Sequence, residues 1–176
     1  MVKGIADFHK FILIVFTTFL YVVLISSGSV QDKVVNTEMS SSEFRASRDR
    51  VVATARKELG DSYKFAASGP ERWDCSGLTH HSYSKAGINI ERSSNGISKM
   101  VGGIELKDAK KGDLIFYKKD GRVFHVSIIT EHSEDNLWVV HSTTSRGVIE
   151  EDILKSPYWE KKIYKVISLV ALSDVK

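Results

Sequence analysis

The order of periodicities along this chain constrains its fold more than any other feature. Helical spacing fills the stretch after residue 40, and strand spacing joined by hairpin-length connections fills the second half. Gly112-Asp113 precedes the apolar run Leu114-Ile115-Phe116-Tyr117, and Lys119-Asp120-Gly121 is a hairpin signal. Further strands are expected over Val123–Thr130, Leu137–His141 and Gly147–Glu150, and the β-branched stretch Lys162–Leu172 closes the chain. No strand–helix–strand rhythm and no internal repeat interrupts this order. Consecutive strands after helices imply an α+β fold with a mainly antiparallel sheet.

The helices are punctuated by their own signals. Ser40-Ser41-Ser42-Glu43 is a capping box, with Ser40 as N-cap and Glu43 three positions on. Phe44, Val51, Val52, Ala55 and Leu59 follow at roughly helical spacing, and Gly60 ends the pattern. Tyr63 to Trp73 reads as irregular chain with a turn at Gly69-Pro70. A second helix is expected from Cys75. Its packing face carries Leu78, Thr79, Ser82, Tyr83 and Ala86, its wet face carries His80, His81, Ser84 and Lys85, and Gly87 is the stop.

Ahead of these elements, Lys3 and Lys10 flank the start of an uncharged run from Phe11 to Ile25, and Ser26, Ser27, Gly28 and Ser29 follow. That order of charge, apolar run and small residues is the pattern of a secretory signal. The run of about 15 residues falls short of the roughly 20 that span a bilayer. Residues 1–30 are therefore expected to be a signal peptide, with an uncleaved membrane anchor through residues 8–30 as the alternative. Residues 31–42 read as a polar linker and 43–176 as the folded domain. The linker is too short to hold a separate binding domain. A net charge of +3 without a Lys/Arg block gives no reason to expect nucleic acid.

Cys75 is the single cysteine, so no internal disulfide can form and the fold must hold by its core. A free cysteine is usually a small buried hydrophobe. Trp73-Asp74-Cys75-Ser76-Gly77, however, sets this thiol at the first turn of a helix. Unpaired N–H groups there favour an anion and are expected to lower the thiol pKa from its usual value of about 8.5. His125 lies on a strand, and alternation places Val123, His125, Ser127 and Ile129 on one face. It is either a satisfied sheet histidine or a rigidly held base for the thiol. His141, at the end of the following strand, can orient that base, or it is merely exposed. The six histidines show no ligand-spaced pair, His132 falls in a polar turn over Glu131–Asn136, and neither a metal nor another cofactor is expected.

Asp74-Cys75-Ser76-Gly77, Gly112-Asp113-Leu114-Ile115-Phe116, His125-Val126-Ser127-Ile128 and His141-Ser142-Thr143, in this order, closely resemble the NlpC family of papain-like cell-wall cysteine peptidases. The likeness runs from about Glu43 to Tyr164 and includes Leu59-Gly60-Asp61-Ser62-Tyr63 and Pro157-Tyr158-Trp159. The resemblance implies a papain-like NlpC fold and a triad of Cys75, His125 and His141. It implies a Tyr63 hydroxyl near the oxyanion, where the alternative is a packing role. It further implies Asp74, Ser76 and Ser94 as binders of a free substrate amine, with helix capping the alternative for Asp74. Peptidoglycan stem peptides are the substrate and partner it implies, cut at the γ-D-glutamyl–diamino acid bond or at a D-alanyl crosslink by an exported monomer in the periplasm or cell envelope. An amidase or acyltransferase with the same Cys–His machinery, and an inactive wall-binding protein, are the competing readings. Two departures stand out: Ala66-Ala67 replace a frequent Gly-Gly, and Ile97 replaces a frequent Gln.

Overall fold

The capping box at Ser40 forms as its spacing requires. In the computed structural model, which describes residues 40–175, the Glu43 amide donates to Ser40 Oγ (3.3 Å) and the Ser40 amide to the Glu43 carboxylate (2.6 Å). Helix α1 (Ser41–Lys57) follows and buries Val51, Val52 and Ala55. Leu59 falls beyond the helix and is 43% exposed, because the chain already turns towards Gly60, whose φ is +93°. The expected export segment of residues 1–30 and most of the expected linker lie outside the described residues. Among the described residues, no helix is long and apolar enough to cross a membrane.

The stretch read as irregular contains two short parallel strands, β1 (Ser62–Tyr63) and β2 (Arg72–Trp73). Helix α2 (Cys75–Lys85) comes next, buries Leu78, Thr79, Ser82 and Tyr83, and stops before Gly87 at φ +79°. A short helix not read from the sequence, α3 (Ser94–Met100), is capped by Ser93. Five strands then make the antiparallel sheet: β3 (Leu114–Lys119), β4 (Arg122–His132), β5 (Leu137–Thr143), β6 (Gly147–Asp152) and β7 (Ile163–Ile167). Their order across the sheet is β6-β5-β4-β3-β7. The one-turn helix α4 (Pro157–Glu160) precedes β7. The closing stretch is not all strand, since the Ser168 hydroxyl accepts from the Val170 amide and starts α5 (Leu169–Ser173). Strand β4 also continues through His132, which narrows the expected polar turn to the residues after it.

Both faces of the sheet are covered. Leu114, Phe116, Val126, Ile128 and Val140 pack with Val51, Val52, Leu78 and Tyr83 of the helices. Ile115, Tyr117, Ile129 and Val139 form a second core with Ile153 and Trp159. Alternation along β4 is broken once. Tyr117 pairs with His125 while Lys118 pairs with Val123, so Phe124 is an extra, bulged residue. Val123 therefore packs in the helix-side core, on the opposite face from His125, and not on the same face as strict alternation predicts.

Candidate active site

Asp74 starts the helix that presents the lone thiol. Its Oδ1 accepts from the Gly77 amide at 2.6 Å, an N-cap that holds Cys75 at the first helical position. Glycine is required at residue 77 because a Cβ there would lie 2.1 Å from the Ala67 carbonyl oxygen. That carbonyl also accepts from the Asp74 amide (3.1 Å) and from Arg92 Nη2 (2.8 Å), so it has no freedom to retreat. Gly77→Ala is expected to cost about 1–3 kcal/mol through this overlap, read as a lowered midpoint in urea unfolding. A loss below a few tenths of that range would show that the loop yields.

Cys75 lies between two cavities. One, of about 450 Å³, is lined by Tyr63, His125, Arg146, Tyr158 and Trp159. The other, of about 360 Å³, is lined by Tyr63, Phe65, Asp74, Ser76, Arg92 and Ser94. Cys75, Tyr63 and Phe124 line both. The structure thus gathers Cys75, His125, Tyr63, Asp74, Ser76 and Ser94 around these two adjoining cavities, and His141 stands behind His125. His141 is 1% exposed, and its Nδ1 lies 2.9 Å from His125 Nε2. It is not an exposed strand-end residue: β5 runs on to Thr143, so His141 sits inside the ladder.

The second cavity is less open to an amine than its residues suggest. Arg92 brackets the Asp74 carboxylate at 3.0 Å to each oxygen and also donates to Ser76 Oγ at 2.9 Å. Burial acts to raise the Asp74 carboxyl, but Arg92, the Gly77 amide and Ser76 together outweigh it and hold the group below its ordinary range. Ser94 lines this cavity as the first residue of α3. Ala66, one of the residues in place of Gly-Gly, takes φ +61°, a conformation that glycine adopts at less cost.

The electrostatics reverse one expectation. Helix position was expected to lower the Cys75 pKa, but desolvation outweighs it and pushes the thiol up to about 11, against the pull of the backbone amides of Val126, Ser76 and Cys75. Burial, with His141 as a secondary cause, drives His125 well below the ordinary histidine range. Both shifts favour the neutral thiol and the neutral imidazole. The Tyr63 phenol is raised, first by burial and further by the nearby Asp74 carboxylate, so it stays a hydrogen-bond donor.

Three further residues complete the site and were not assigned a role from the sequence. Glu151 Oε1 accepts from His141 Nε2 (2.9 Å), Arg146 Nη2 (2.6 Å) and Trp159 Nε1 (2.9 Å). Its Oε2 accepts from Arg146 Nη1 at 3.0 Å. The Trp159 ring stacks on His125 with centroids 4.6 Å apart and planes 24° from parallel. A signal for Glu151 was present in the hairpin register. Pairing Thr143 with Gly147 sets His141 opposite Ile149, which makes Glu151 its diagonal neighbour on the same face. Among the described residues, no three His, Cys, Asp or Glu side chains converge as metal ligands would.

This arrangement can support acyl transfer: a nucleophile and a base share one cleft, and a second ring holds the base. The NlpC/P60 family model matches residues 60–168. Over 131 residues the chain is 35% identical to the gamma-DL-glutamyl hydrolase of Bacillus subtilis, covering 71% of this chain and 30% of that protein. It is 37% identical over 78 residues to the probable endopeptidase p60 of Listeria monocytogenes, covering 44% of this chain and 16% of that one. The crystal structure of an NlpC/P60 family protein from Bacillus cereus superposes with a TM-score of 0.63 at 28% identity, covering 70% of this chain and 40% of that chain. The chain thus spans less than a third of either curated relative. A family match over most of the folded unit, the same helix-then-sheet architecture and a cysteine and histidine in one cleft make this chain a member of the NlpC/P60 family.

Proposed function

We propose that the chain is a cysteine peptidase that hydrolyses amide bonds of peptidoglycan stem peptides, with the γ-glutamyl bond as its target. The carrying observation is the Cys75 thiol at a helix start in one cleft with His125, whose far nitrogen meets His141 at 2.9 Å. The name of the Bacillus subtilis relative supports the γ-glutamyl bond over a D-alanyl crosslink.

In this reading the neutral His125 takes the thiol proton as Cys75 Sγ bonds to the amide carbon. The Tyr63 hydroxyl and the backbone N–H groups at the start of α2 donate to the oxyanion, where one donor is typically worth about 2.7–4 kcal/mol. His125 then protonates the departing amine as the C–N bond breaks, leaving a thioester on Cys75. Water, deprotonated by His125, attacks the thioester carbon and releases the acid and the thiol. Asp74, Ser76 and Ser94 are read as the face for a free substrate amine, which has to share Asp74 with Arg92. Residues 43–176 are the catalytic domain, and residues 1–30 direct it to the cell envelope.

Digestion of purified peptidoglycan with fragments weighed by mass spectrometry tests the reading. Stems cut at the γ-glutamyl bond are expected, whereas conversion of crosslinked dimers to monomeric stems would move the cut to the D-alanyl bond. Formation of new amides or esters on an added acceptor would favour an acyltransferase. Binding without any cleavage would favour an inactive wall-binding protein.

The pH profile follows from the base. The active form needs His125 neutral, its pKa is depressed by burial, and protonation becomes important only as pH falls through that lowered value. Accordingly kcat/KM is expected to stay level from pH 8 to below 6.5, with the acid limb beneath the usual histidine range. An acid limb at or above 6.5 would contradict a buried neutral base.

A further inference from the structure

Glu151 makes four hydrogen bonds to three side chains, yet no step of the reaction touches it. We propose that Glu151 and Arg146 form one positioning pair that dictates which nitrogen of each histidine carries its proton, leaving Nδ1 of His125 bare to accept from Cys75. The proposal rests on the peptidase reading above.

The proton order follows from the geometry. A carboxylate only accepts hydrogen bonds, so His141 Nε2, 2.9 Å from Glu151 Oε1, carries a hydrogen. In a neutral ring the other nitrogen, Nδ1, is then a bare acceptor. His125 Nε2 lies 2.9 Å from it and must be the donor. That assignment leaves Nδ1 as the basic nitrogen of His125 and the only one free to meet the cleft. Any proton moved to His141 Nδ1 reverses the chain, because His125 Nε2 must then accept and Nδ1 becomes N–H. A ring in that state cannot take the thiol proton.

Arg146 makes the difference between these two outcomes. An isolated carboxylate against a buried imidazole draws a second proton onto it. Here Arg146 binds both Glu151 oxygens, at 2.6 and 3.0 Å, so the pair presents an acceptor to His141 with little net charge. Among the described residues, the other aromatic rings packed on the two imidazoles are uncharged. Strand β3 contributes the Tyr117 phenol, which burial keeps protonated, while α2 contributes the neutral Cys75 thiol and α4 the Trp159 indole. His141 is held below the ordinary histidine range by burial first, with Glu151 raising it and Arg146 lowering it. Glu151 itself, though desolvated, is brought down to about 2 by its bonds to His141 and Arg146 and stays ionised. Arg146 is half-exposed, so removing its head group leaves the packing of both cores untouched.

The test uses the full chain labelled with ¹⁵N-histidine, whose ring shifts show which nitrogen is protonated. Single His→Gln variants assign His125 and His141. The expected spectrum at pH 7 has Nε2–H on both rings. In Arg146→Gln, the acid limb of kcat/KM is expected to rise by at least about one pH unit, the sign that follows from letting Glu151 draw a proton onto His141. In Glu151→Leu, kcat is expected to fall roughly 10- to 100-fold at nearly constant KM, the size of effect seen when a carboxylate that orients a metal-bound histidine is removed. Glu151→Gln, which keeps an acceptor, should recover part of that loss. An Nδ1–H signal from either ring in the unmodified protein would overturn the proposal, as would superimposable pH profiles for Arg146→Gln and the parent. Should the chain prove not to hydrolyse peptides, the ring spectra still decide the proton order, and the pH dependence of Cys75 alkylation by iodoacetamide replaces kcat/KM.

Discussion

Cys75→Ala is expected to lower peptidoglycan hydrolysis by a factor of at least about 10³ while the protein stays folded, because loss of a nucleophile leaves only binding and oxyanion contacts. Cys75 is partly exposed at the first position of α2, and the N-cap that starts this helix belongs to Asp74. Alanine is favourable in a helix, so the unfolding free energy should change by no more than about 1 kcal/mol. Cys75→Ser is expected to be as inactive. The desolvation that raises the thiol to about 11 acts on a hydroxyl as well, and a hydroxyl is far harder to ionise. Both variants should still sediment with peptidoglycan. Residual turnover above a tenth of the parent's, in protein with an unchanged midpoint, would remove Cys75 from the reaction.

The largest loss of stability is expected at Asp113. Its side chain is fully buried and joins three separate parts of the chain. Oδ1 accepts from Arg48 of α1 at 2.6 Å and from the Leu169 amide at the start of α5 at 2.8 Å, while Oδ2 accepts from the Lys110 amide at 2.7 Å. The adjoining Gly112 carbonyl accepts from the buried Tyr83 hydroxyl at 2.6 Å. Asp113→Ala takes the carboxylate away from the Arg48 guanidinium, which is 12% exposed and keeps only its bond to the Lys111 carbonyl, and leaves two amides unpaired. Breaking one side of such a pair costs about 3–5 kcal/mol, a large part of the roughly 5–15 kcal/mol that holds a domain folded. Urea unfolding should show it. If the alanine variant does not fold, Asp113→Asn, which keeps an acceptor, should show a smaller drop. A loss below about 1 kcal/mol in either would mean that water replaces the carboxylate.

These two sites differ in how they could be read. Gly112-Asp113 stood out as the approach to a strand, but nothing local says that Asp113 reaches across to Arg48 and Leu169, which are distant in the chain. Cys75 and His125 were legible because each is constrained by its own element, a helix start and a strand. Glu151 was harder to see, since adjacent glutamates on an edge strand ordinarily mark a wet surface. Its role depends on Arg146, Trp159 and His141 meeting at one oxygen. Phe124 shows the same limit in the sheet: a single bulged residue reverses the face of Val123, and period-two counting has no means to detect it.

Short-range physics controls the features that could be read from the amino-acid order alone. The capping box starts α1, the glycines end helices, alternation marks the strands, and the order of elements makes the sheet antiparallel. These depend on sterics and hydrogen bonds within a few residues. The charge state of the site is instead a product of the folded cleft. A helix start favours a thiolate, but the walls of the folded cleft strip water from the sulfur and from His125, and that desolvation outweighs the helix. The tertiary structure likewise set Arg92 on Asp74 and Glu151 on His141, because Coulomb and desolvation energies depend on separations in space that the sequence does not carry.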